Sequence, residues 1–135
     1  METQEIVTRT SRVRMEADMV ARVTIFSGAQ QTLADAKENI QALEELSQGR
    51  PFRALTDIRQ MTSQSREARE FYSDPSHTQS LVAVAILVGS PVSRLIGNFF
   101  MGFNKSSTPT RLFTSEADAI AWLKEFPLSN DDQNH

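Results

Sequence analysis

An eight-residue run at positions 81–88 contains only apolar residues, and it constrains the fold more than any other segment of the chain. A strand that alternates apolar and polar residues needs cover on one face, whereas a strand that is apolar at every position needs cover on both. The run is far shorter than the roughly 20 residues that cross a membrane as a helix. We therefore predict a buried strand in a parallel sheet, with helices packed on each side.

The segments before this strand change from a strand pattern to a helix pattern. Residues 5–25 alternate with a period of two around a short polar connection, which predicts a β-hairpin. From Thr32 to Gly49 the apolar residues recur every three or four positions, which predicts an amphipathic helix. Thr32 and Asp35 have the spacing of a capping box at its start. A strand over 52–58 and a short helix over 65–72 follow.

The segments after the strand repeat the alternation. Ser90 can cap a helix whose first residue is Pro91, where the missing N–H costs nothing, and this helix extends to Phe103. A short strand at 110–113 and a helix over 115–126 complete the series. This order predicts an α/β fold with a mostly parallel central sheet, an N-terminal β-hairpin and about four helices packed on it.

The composition excludes several kinds of site. With no cysteine among the 135 residues, the chain has no disulfide, no thiol nucleophile and no Cys-ligated metal. There are only two histidines and no carboxylate cluster with ligand spacing, so we predict no metal and no cofactor. A formal net charge of −3 disfavours nucleic acid as a partner. Five arginines interleaved with glutamates are typical of a mixed solvated face: Arg50, Arg53, Arg59, Arg66 and Arg69.

No segment predicts export or membrane insertion. The first residues lack a positively charged start that leads into an apolar stretch, so we predict a cytoplasmic protein. The last residues, 129–135, are polar, and we expect a disordered tail there.

No convincing catalytic site is present in the sequence. A serine hydrolase needs a nucleophile, a histidine base and an orienting acid, and His77 is the only candidate base. No serine stands in a G-x-S-x-G elbow, and no glycine-rich phosphate loop is found. We therefore predict that the protein is not an enzyme, with a hydrolase as the least favoured function.

The order of elements resembles the STAS and SpoIIAA-like superfamily of anti-sigma-factor antagonists, over roughly residues 5–126. The end of one strand, Leu55-Thr56-Asp57-Ile58, followed by a serine-bearing segment, carries the general likeness. The similarity to an uncharacterised bacterial branch lies in further stretches: Val84-Ala85-Ile86-Leu87-Val88, Ser90-Pro91-Val92, Gly97-Asn98-Phe99-Phe100, Leu112-Phe113 and Ala119-Ile120-Ala121-Trp122-Leu123. The resemblance implies a single STAS-like domain over residues 1–128 that acts as a regulatory module with a protein partner.

The resemblance also directs attention to Ser63 and Ser65. In phosphoregulated members, a partner kinase phosphorylates a serine at the start of the helix after the third strand, and these two serines lie in the comparable region. The run Met61-Thr62-Ser63-Gln64-Ser65-Arg66 lacks the acidic residue, the paired serines and the glycine of those members. Ser65 beside two arginines could hold a phosphate, or either serine could simply cap the helix.

Asp57 and Arg59 form a second candidate pair. Open α/β sheets bind ligands beyond the ends of their strands, so Asp57 could contribute a carboxylate to such an edge. Equally, Asp57 could have a structural role, either by capping the backbone that follows it or by forming a salt bridge with Arg59.

The helix over 91–103 has more apolar surface than one core requires. Its apolar residues form two neighbouring stripes with Met101 beside them: Leu95, Phe99 and Gly102 in one, Ile96, Phe100 and Phe103 in the next. Such a helix is either deeply buried or engaged by a partner on its second side. We predict a non-enzymatic interaction module that forms a homodimer through this helix. The alternative is a carrier of a small molecule or lipid, with an apolar pocket under the helix lined by Phe99, Phe100 and Met101.

Overall fold

The computed structural model describes residues 4–77, 79–103 and 108–128. In this part of the chain, strands and α-helices follow one another in this order: β1 (Gln4–Val7), β2 (Ser11–Glu16), β3 (Val20–Ile25), β4 (Gln30–Gln31), α1 (Leu33–Ser47), β5 (Phe52–Asp57), β6 (Ser63–Gln64), α2 (Arg66–Ser73), β7 (Leu81–Leu87), α3 (Pro91–Phe103), β8 (Thr110–Phe113) and α4 (Glu116–Leu123). The predicted tail at 129–135 lies outside the described residues. None of the helices described is long and apolar enough to cross a membrane.

Six strands form the main sheet in the order β1-β2-β3-β5-β7-β8. Strand β2 is antiparallel to both of its neighbours, β1 and β3, and β3, β5, β7 and β8 are parallel. Each parallel strand adds to the same edge, so right-handed crossovers place α1, α2 and α3 on one face of the sheet. The last helix, α4, packs on the opposite face. The predicted α/β fold class is therefore confirmed.

Strand β7 is covered on both faces, as its apolar run predicted. Ile86 and the partly buried Val84 belong to the core under α1, α2 and α3. Ala83, Ala85 and Leu87 belong to the core under α4 and are fully buried. Two alanines on that face leave room for α4 to lie directly on the strand, and Leu123 of α4 fills the remaining space.

The N-terminal segment contains three strands where the alternation predicted two. The chain turns at Thr8, whose hydroxyl accepts hydrogen bonds from the backbone N–H groups of Thr10 at 3.3 Å and Ser11 at 3.0 Å. Threonine side chains stabilise tight turns in this way. The turn pairs Ile6 with Val13 on the same face. These positions are seven residues apart, so the period of two changes phase at the turn, and a pattern read as one continuous strand misses it.

Helix α1 begins with the predicted capping box. The Thr32 hydroxyl accepts from the backbone N–H of Asp35 at 3.4 Å, and the Asp35 carboxylate accepts from the backbone N–H of Thr32 at 2.8 Å. Arg9, in the turn before β2, donates from Nε to the same carboxylate at 2.7 Å. Asp35 therefore joins the start of α1 to the N-terminal strands.

The prediction that the arginines lie on a solvated face is wrong for Arg53. This side chain is 8% exposed. It donates from Nε and Nη2 to the carbonyl oxygen of Phe126, at 3.0 and 2.8 Å, and from Nη1 to that of Asp18 at 2.7 Å. Carbonyl groups close to the end of α4 and at the turn before β3 thus satisfy a buried guanidinium, which the charge pattern alone does not reveal.

Candidate functional site

An apolar cavity of about 100 Å³ lies between the sheet and helices α1, α2 and α3. Aliphatic and aromatic side chains from these elements form most of its wall: Ile40, Leu43, Ala54, Ile58, Val84, Ile86, Ile96 and Phe100. Among the described residues that line it, none is charged. The carrier hypothesis expected a pocket under the helix over 91–103, and α3 does cover this cavity.

The two stripes of α3 have different surroundings. Ile96 is buried, and Ile96 and Phe100 both border the cavity. Leu95 and Phe99 are each 55% exposed. With 3.6 residues per turn, positions 96 and 100 face the sheet together while 95 and 99 lie on the flank. Of the three residues named for a pocket lining, Phe100 borders the cavity, whereas Phe99 and Met101 do not, and Met101 is 37% exposed. The side chain of Phe103 lies outside what the structure describes.

Gly97 lets α3 lie close to the sheet. A methyl group at this position would lie 3.0 Å from Cγ1 of Val88 and 3.2 Å from Cδ2 of Leu112. Both distances are shorter than ordinary van der Waals contact between carbon atoms. Because position 97 has no side chain, α3, which forms the roof of the cavity, can lie this close to β7 and β8.

One end of the cavity is polar. Gln31 of β4 and Gln64 of β6 are register partners in a two-residue parallel pair, and both line the cavity. Nε2 of Gln64 donates to Oε1 of Gln31 at 3.0 Å. Nε2 of Gln31 and Oε1 of Gln64 are both buried. Oε1 of Gln64 has no hydrogen-bond partner within the described part of the chain, and the NH₂ group of Gln31 can donate only one of its two hydrogens to the nearby Tyr72 hydroxyl. One N–H of Gln31 and the oxygen of Gln64 are thus left over beside an otherwise apolar space.

A second polar group of residues reaches the cavity and is internally satisfied. Nδ2 of Asn39 donates to the hydroxyl of Tyr72 at 2.9 Å, and the Ser11 hydroxyl donates to Oδ1 of Asn39. Burial raises the pKa of Tyr72, which keeps the phenol neutral and able to donate its own hydrogen. The Asn39 amide is thus paired through both its nitrogen and its oxygen, whereas Oε1 of Gln64 has no partner within the described residues.

The sequence did not single out Gln31, Gln64, Asn39 or Tyr72. A two-residue strand has no periodicity to detect, and glutamines between elements have the composition of a loop. Only the tertiary structure brings Gln31 and Gln64 together, because they are 33 residues apart and meet through the pairing of β4 with β6.

The two candidate regulatory serines have different environments. Ser65 is the N-cap of α2, and its hydroxyl accepts from the backbone N–H of Ala68 at 3.1 Å. Ser63 is exposed in β6. Arg69 does not reach Ser65 with its guanidinium; Nη1 donates to the Gln64 carbonyl at 2.7 Å, and Cζ lies 5.7 Å from the centre of the Phe99 ring. Phosphorylation of either serine stays a prediction, and Ser63 is the more accessible one.

Asp57 and Arg59 bind each other at the end of β5. Arg59 donates to the Asp57 carboxylate from Nε at 2.9 Å, from Nη2 at 2.7 Å and from its backbone N–H at 3.0 Å. Burial by itself would raise the pKa of Asp57, but the hydrogen bonds from Arg59 outweigh it and lower the pKa. Ser90 also donates to the Arg59 carbonyl at 3.3 Å. The pair holds together the chain segments after β5 and β7, which favours the structural interpretation.

His77 is not placed beside either serine. Its ring stacks on Phe71 with the ring centres 3.9 Å apart, and Nδ1 lies 2.9 Å from the Phe71 carbonyl oxygen. His77 follows the C-terminal end of α2, whereas Ser65 caps the other end of this eight-residue helix, about 12 Å away. The described residues also contain no group of three or more histidines and carboxylates placed to hold a metal ion.

Comparison with known proteins supports the fold and assigns the family. A crystal structure of an uncharacterised DUF3478 protein with a SpoIIAA-like fold from Shewanella loihica PV-4 is 18% identical to this chain, with a TM-score of 0.53. The match covers 90% of this chain and 92% of that one. A protein of unknown function from Arthrobacter sp. FB24 is 34% identical over 83% of this chain and 97% of its own, with a TM-score of 0.34. No curated protein matches the chain.

The SpoIIAA-like resemblance found in the sequence is thus confirmed at the level of the fold. The family model of a domain of unknown function, DUF7793, matches residues 14–127, which include every element from β3 to α4. The chain belongs to the DUF7793 family.

Proposed function

We propose that this protein is a non-enzymatic interaction module of the STAS-like type, which binds a second copy of itself through the exposed face of α3. The observation that carries the proposal is a stripe of three large apolar side chains on that face. Val92, Leu95 and Phe99 follow one another at helical spacing and are 47%, 55% and 55% exposed. A contiguous exposed stripe of large apolar side chains is typical of a contact surface.

A second copy is the occupant that the stripe fits best. Across a two-fold axis the same surface faces itself, so an apolar stripe meets an apolar stripe without any need for complementary charges. Helix α3 contains no acidic residue and one basic residue, Arg94. The guanidinium of Arg69 already lies over the Phe99 ring and fixes one edge of the stripe.

The non-enzymatic part of the proposal draws support from the candidate groups themselves. Ser65 is engaged as a helix cap, Asp57 is held by Arg59, and the His77 ring is stacked on Phe71 at the far end of α2. Catalysis by a nucleophile and a base needs the two groups within hydrogen-bond reach of each other.

The test measures the mass of the protein in solution by light scattering after gel filtration and by native mass spectrometry. We expect a dimer at roughly 100 µM protein that dissociates on dilution. Leu95→Ser or Phe99→Ser should raise the dimer dissociation constant by about tenfold or more. Val7→Ser is the matched control, since Val7 is 60% exposed on β1 at the other edge of the sheet. A wild-type monomer at this concentration, or an equal effect of Val7→Ser, would overturn the proposal.

The cavity favours a second candidate function, the binding of a small molecule. An engineered cavity of roughly 150 Å³ in another protein binds benzene. A space of about 100 Å³ therefore accepts a molecule of about four non-hydrogen atoms. This volume is too small for a lipid chain, so the carrier hypothesis is narrowed to compact ligands.

A further inference from the structure

We propose that the cavity under α3 recognises a small neutral molecule that presents a hydrogen-bond acceptor and donor side by side, as a primary carboxamide does, and that Gln31 and Gln64 are the recognition groups. This inference rests on the second candidate function, the binding of a small ligand. It adds the chemical class of the ligand and the residues that select it.

The first line of support is the unequal satisfaction of the buried polar groups. Gln31 is 2% exposed and can give only one of its two N–H hydrogens to Tyr72, while Oε1 of Gln64 has no partner within the described residues. Buried polar groups are nearly always hydrogen-bonded, so an unpaired donor and acceptor at one cavity end indicate missing partners. The assignment of amide nitrogen and oxygen does not affect this conclusion. If both amides are turned over, Gln31 presents an oxygen that can accept from the Tyr72 hydroxyl and keeps a second lone pair, while Gln64 presents an unpaired NH₂ group, so donor and acceptor capacity are still left.

The second line of support is the rigidity of the backbone that carries the two amides. The Gln31 carbonyl accepts from the backbone N–H of Ser65 at 2.9 Å, and the Ala29 carbonyl accepts from that of Thr62 at 2.9 Å. The parallel pairing places the two glutamines opposite each other. A site whose polar groups are held in place before binding loses less entropy when the ligand arrives.

The ligand chemistry follows from the wall of the cavity. A carboxamide carbonyl can accept from Nε2 of Gln31, while its N–H donates to Oε1 of Gln64. The rest of the molecule would contact aliphatic side chains such as Ile40, Ile86 and Ile96. A charged ligand is disfavoured, because the described lining residues contain no opposite charge to compensate its loss of hydration. Thus the head group must be neutral and the body compact and apolar.

The test compares two probes of equal size. Acetamide and acetone differ only in having NH₂ or CH₃ beside the same carbonyl group. Each is titrated into the isotope-labelled full-length protein, and NMR follows the side-chain NH₂ signals of Gln31 and Gln64 and the methyl signals of Ile86 and Ile96. We expect both probes to shift the methyl signals, and acetamide to bind about tenfold more tightly, because only it can donate to Gln64.

Variants assign this preference to the amide pair. Replacing both glutamines, Gln31→Leu with Gln64→Leu, removes donor and acceptor together, which is tolerated far better than removing one. This double variant should lose the preference for acetamide. Gln30→Leu is the matched control, since Gln30 is the exposed neighbour of Gln31 in β4, and it should keep the preference. The ratio measured on the wild-type protein tests the inference even if the double variant does not fold.

The outcomes separate this inference from the function on which it rests. If both probes bind equally, the cavity binds small molecules but the glutamines do not select them, and the inference is overturned alone. If neither probe shifts the methyl signals, the small-molecule function fails as well. A preference that survives in the folded double variant would also overturn the role of the glutamines.

Discussion

Asp35 shows how much a single side chain contributes at the start of a helix. The carboxylate caps α1 through Thr32 and pairs with Arg9, and its own side chain is only 3% exposed. The hydrogen bond from Arg9 lowers the pKa of Asp35 from an ordinary value of 3.8 to about 2, against the opposing effect of burial. The carboxylate is therefore the form that stabilises the folded chain.

The first prediction concerns Asp35→Asn. The substitution removes the charge but keeps an oxygen that can accept from Thr32, so at pH 7 we expect a loss of about 1–2 kcal/mol in the free energy of unfolding. In the wild-type protein the pKa of the Asp35 carboxyl group is lower in the folded chain than in the unfolded chain. The contribution of the charged carboxylate to the free energy of unfolding is therefore fully present above about pH 4 and is lost as the pH falls towards about 2. The two proteins should therefore converge in stability as the pH falls.

Urea unfolding followed by circular dichroism at several pH values checks this convergence. Asp118→Asn is the control, because Asp118 also lies in the first turn of its helix, α4, but is exposed. The control substitution should change stability much less. A difference between wild type and Asp35→Asn that stays constant from pH 7 to about pH 2.5 would contradict the assignment.

At the scale of elements, α3 has to satisfy two opposing requirements. Its inner stripe covers the cavity, and Gly97 allows it to approach β7 and β8. Its outer stripe leaves Leu95 and Phe99 exposed. One helix therefore carries both the roof of the proposed ligand site and the proposed dimer surface. We expect dimer formation to reduce the motion of this roof.

The second prediction compares two glycines of α3. A methyl group at Gly97 would push against Val88 and Leu112, so Gly97→Ala should destabilise the protein by about 1 kcal/mol despite the better helix propensity of alanine. A methyl group at Gly102 meets nothing within 4 Å, so Gly102→Ala should stabilise by about 0.5–1 kcal/mol. Thermal and urea unfolding measure both changes. Equal effects of the same sign would show that α3 does not lie as close to the sheet as described.

At the scale of the whole molecule, the two faces of the sheet are covered in different ways. The three crossover helices cover one face because every parallel strand is added to the same edge. The opposite face depends on α4, which comes after the last strand. Arg53 connects this late element to the sheet, because it reaches from β5 to the Phe126 carbonyl just beyond α4 and to Asp18 in the turn before β3.

The third prediction tests this connection with Arg53→Met. The substitution keeps much of the side-chain volume but leaves two carbonyl groups without their donor, so we expect a loss of about 2–3 kcal/mol in the free energy of unfolding. Amide hydrogen exchange should accelerate most around residues 120–128. Arg50→Met is the control, since Arg50 is exposed, and it should cost less than about 0.5 kcal/mol. If amide hydrogen exchange became faster to the same extent over the whole chain, the hydrogen bonds of Arg53 would not be a specific connection to α4.

The sequence by itself determined the four α-helices, the longer strands β2, β3, β5, β7 and β8, and their order. The apolar run at 81–88 predicted a strand covered on both faces, and the Thr32 and Asp35 spacing predicted the cap of α1. These features are local, since periodicity and capping depend on residues within a turn or two of each other. The parallel order of the sheet followed as well, because right-handed crossovers leave few other ways to connect alternating strands and helices.

Only the tertiary structure decided where the candidate site lies. Which of the two stripes of α3 faces the sheet depended on the rotation of the helix about its own axis. The hydrogen-bond partners of Arg53 are 35 and 73 residues away from it along the chain. Gln31 and Gln64 have no local pattern and become a pair only through the β4–β6 pairing. A cavity is the space left where packing is incomplete, and its position depends on contacts between segments far apart in the chain.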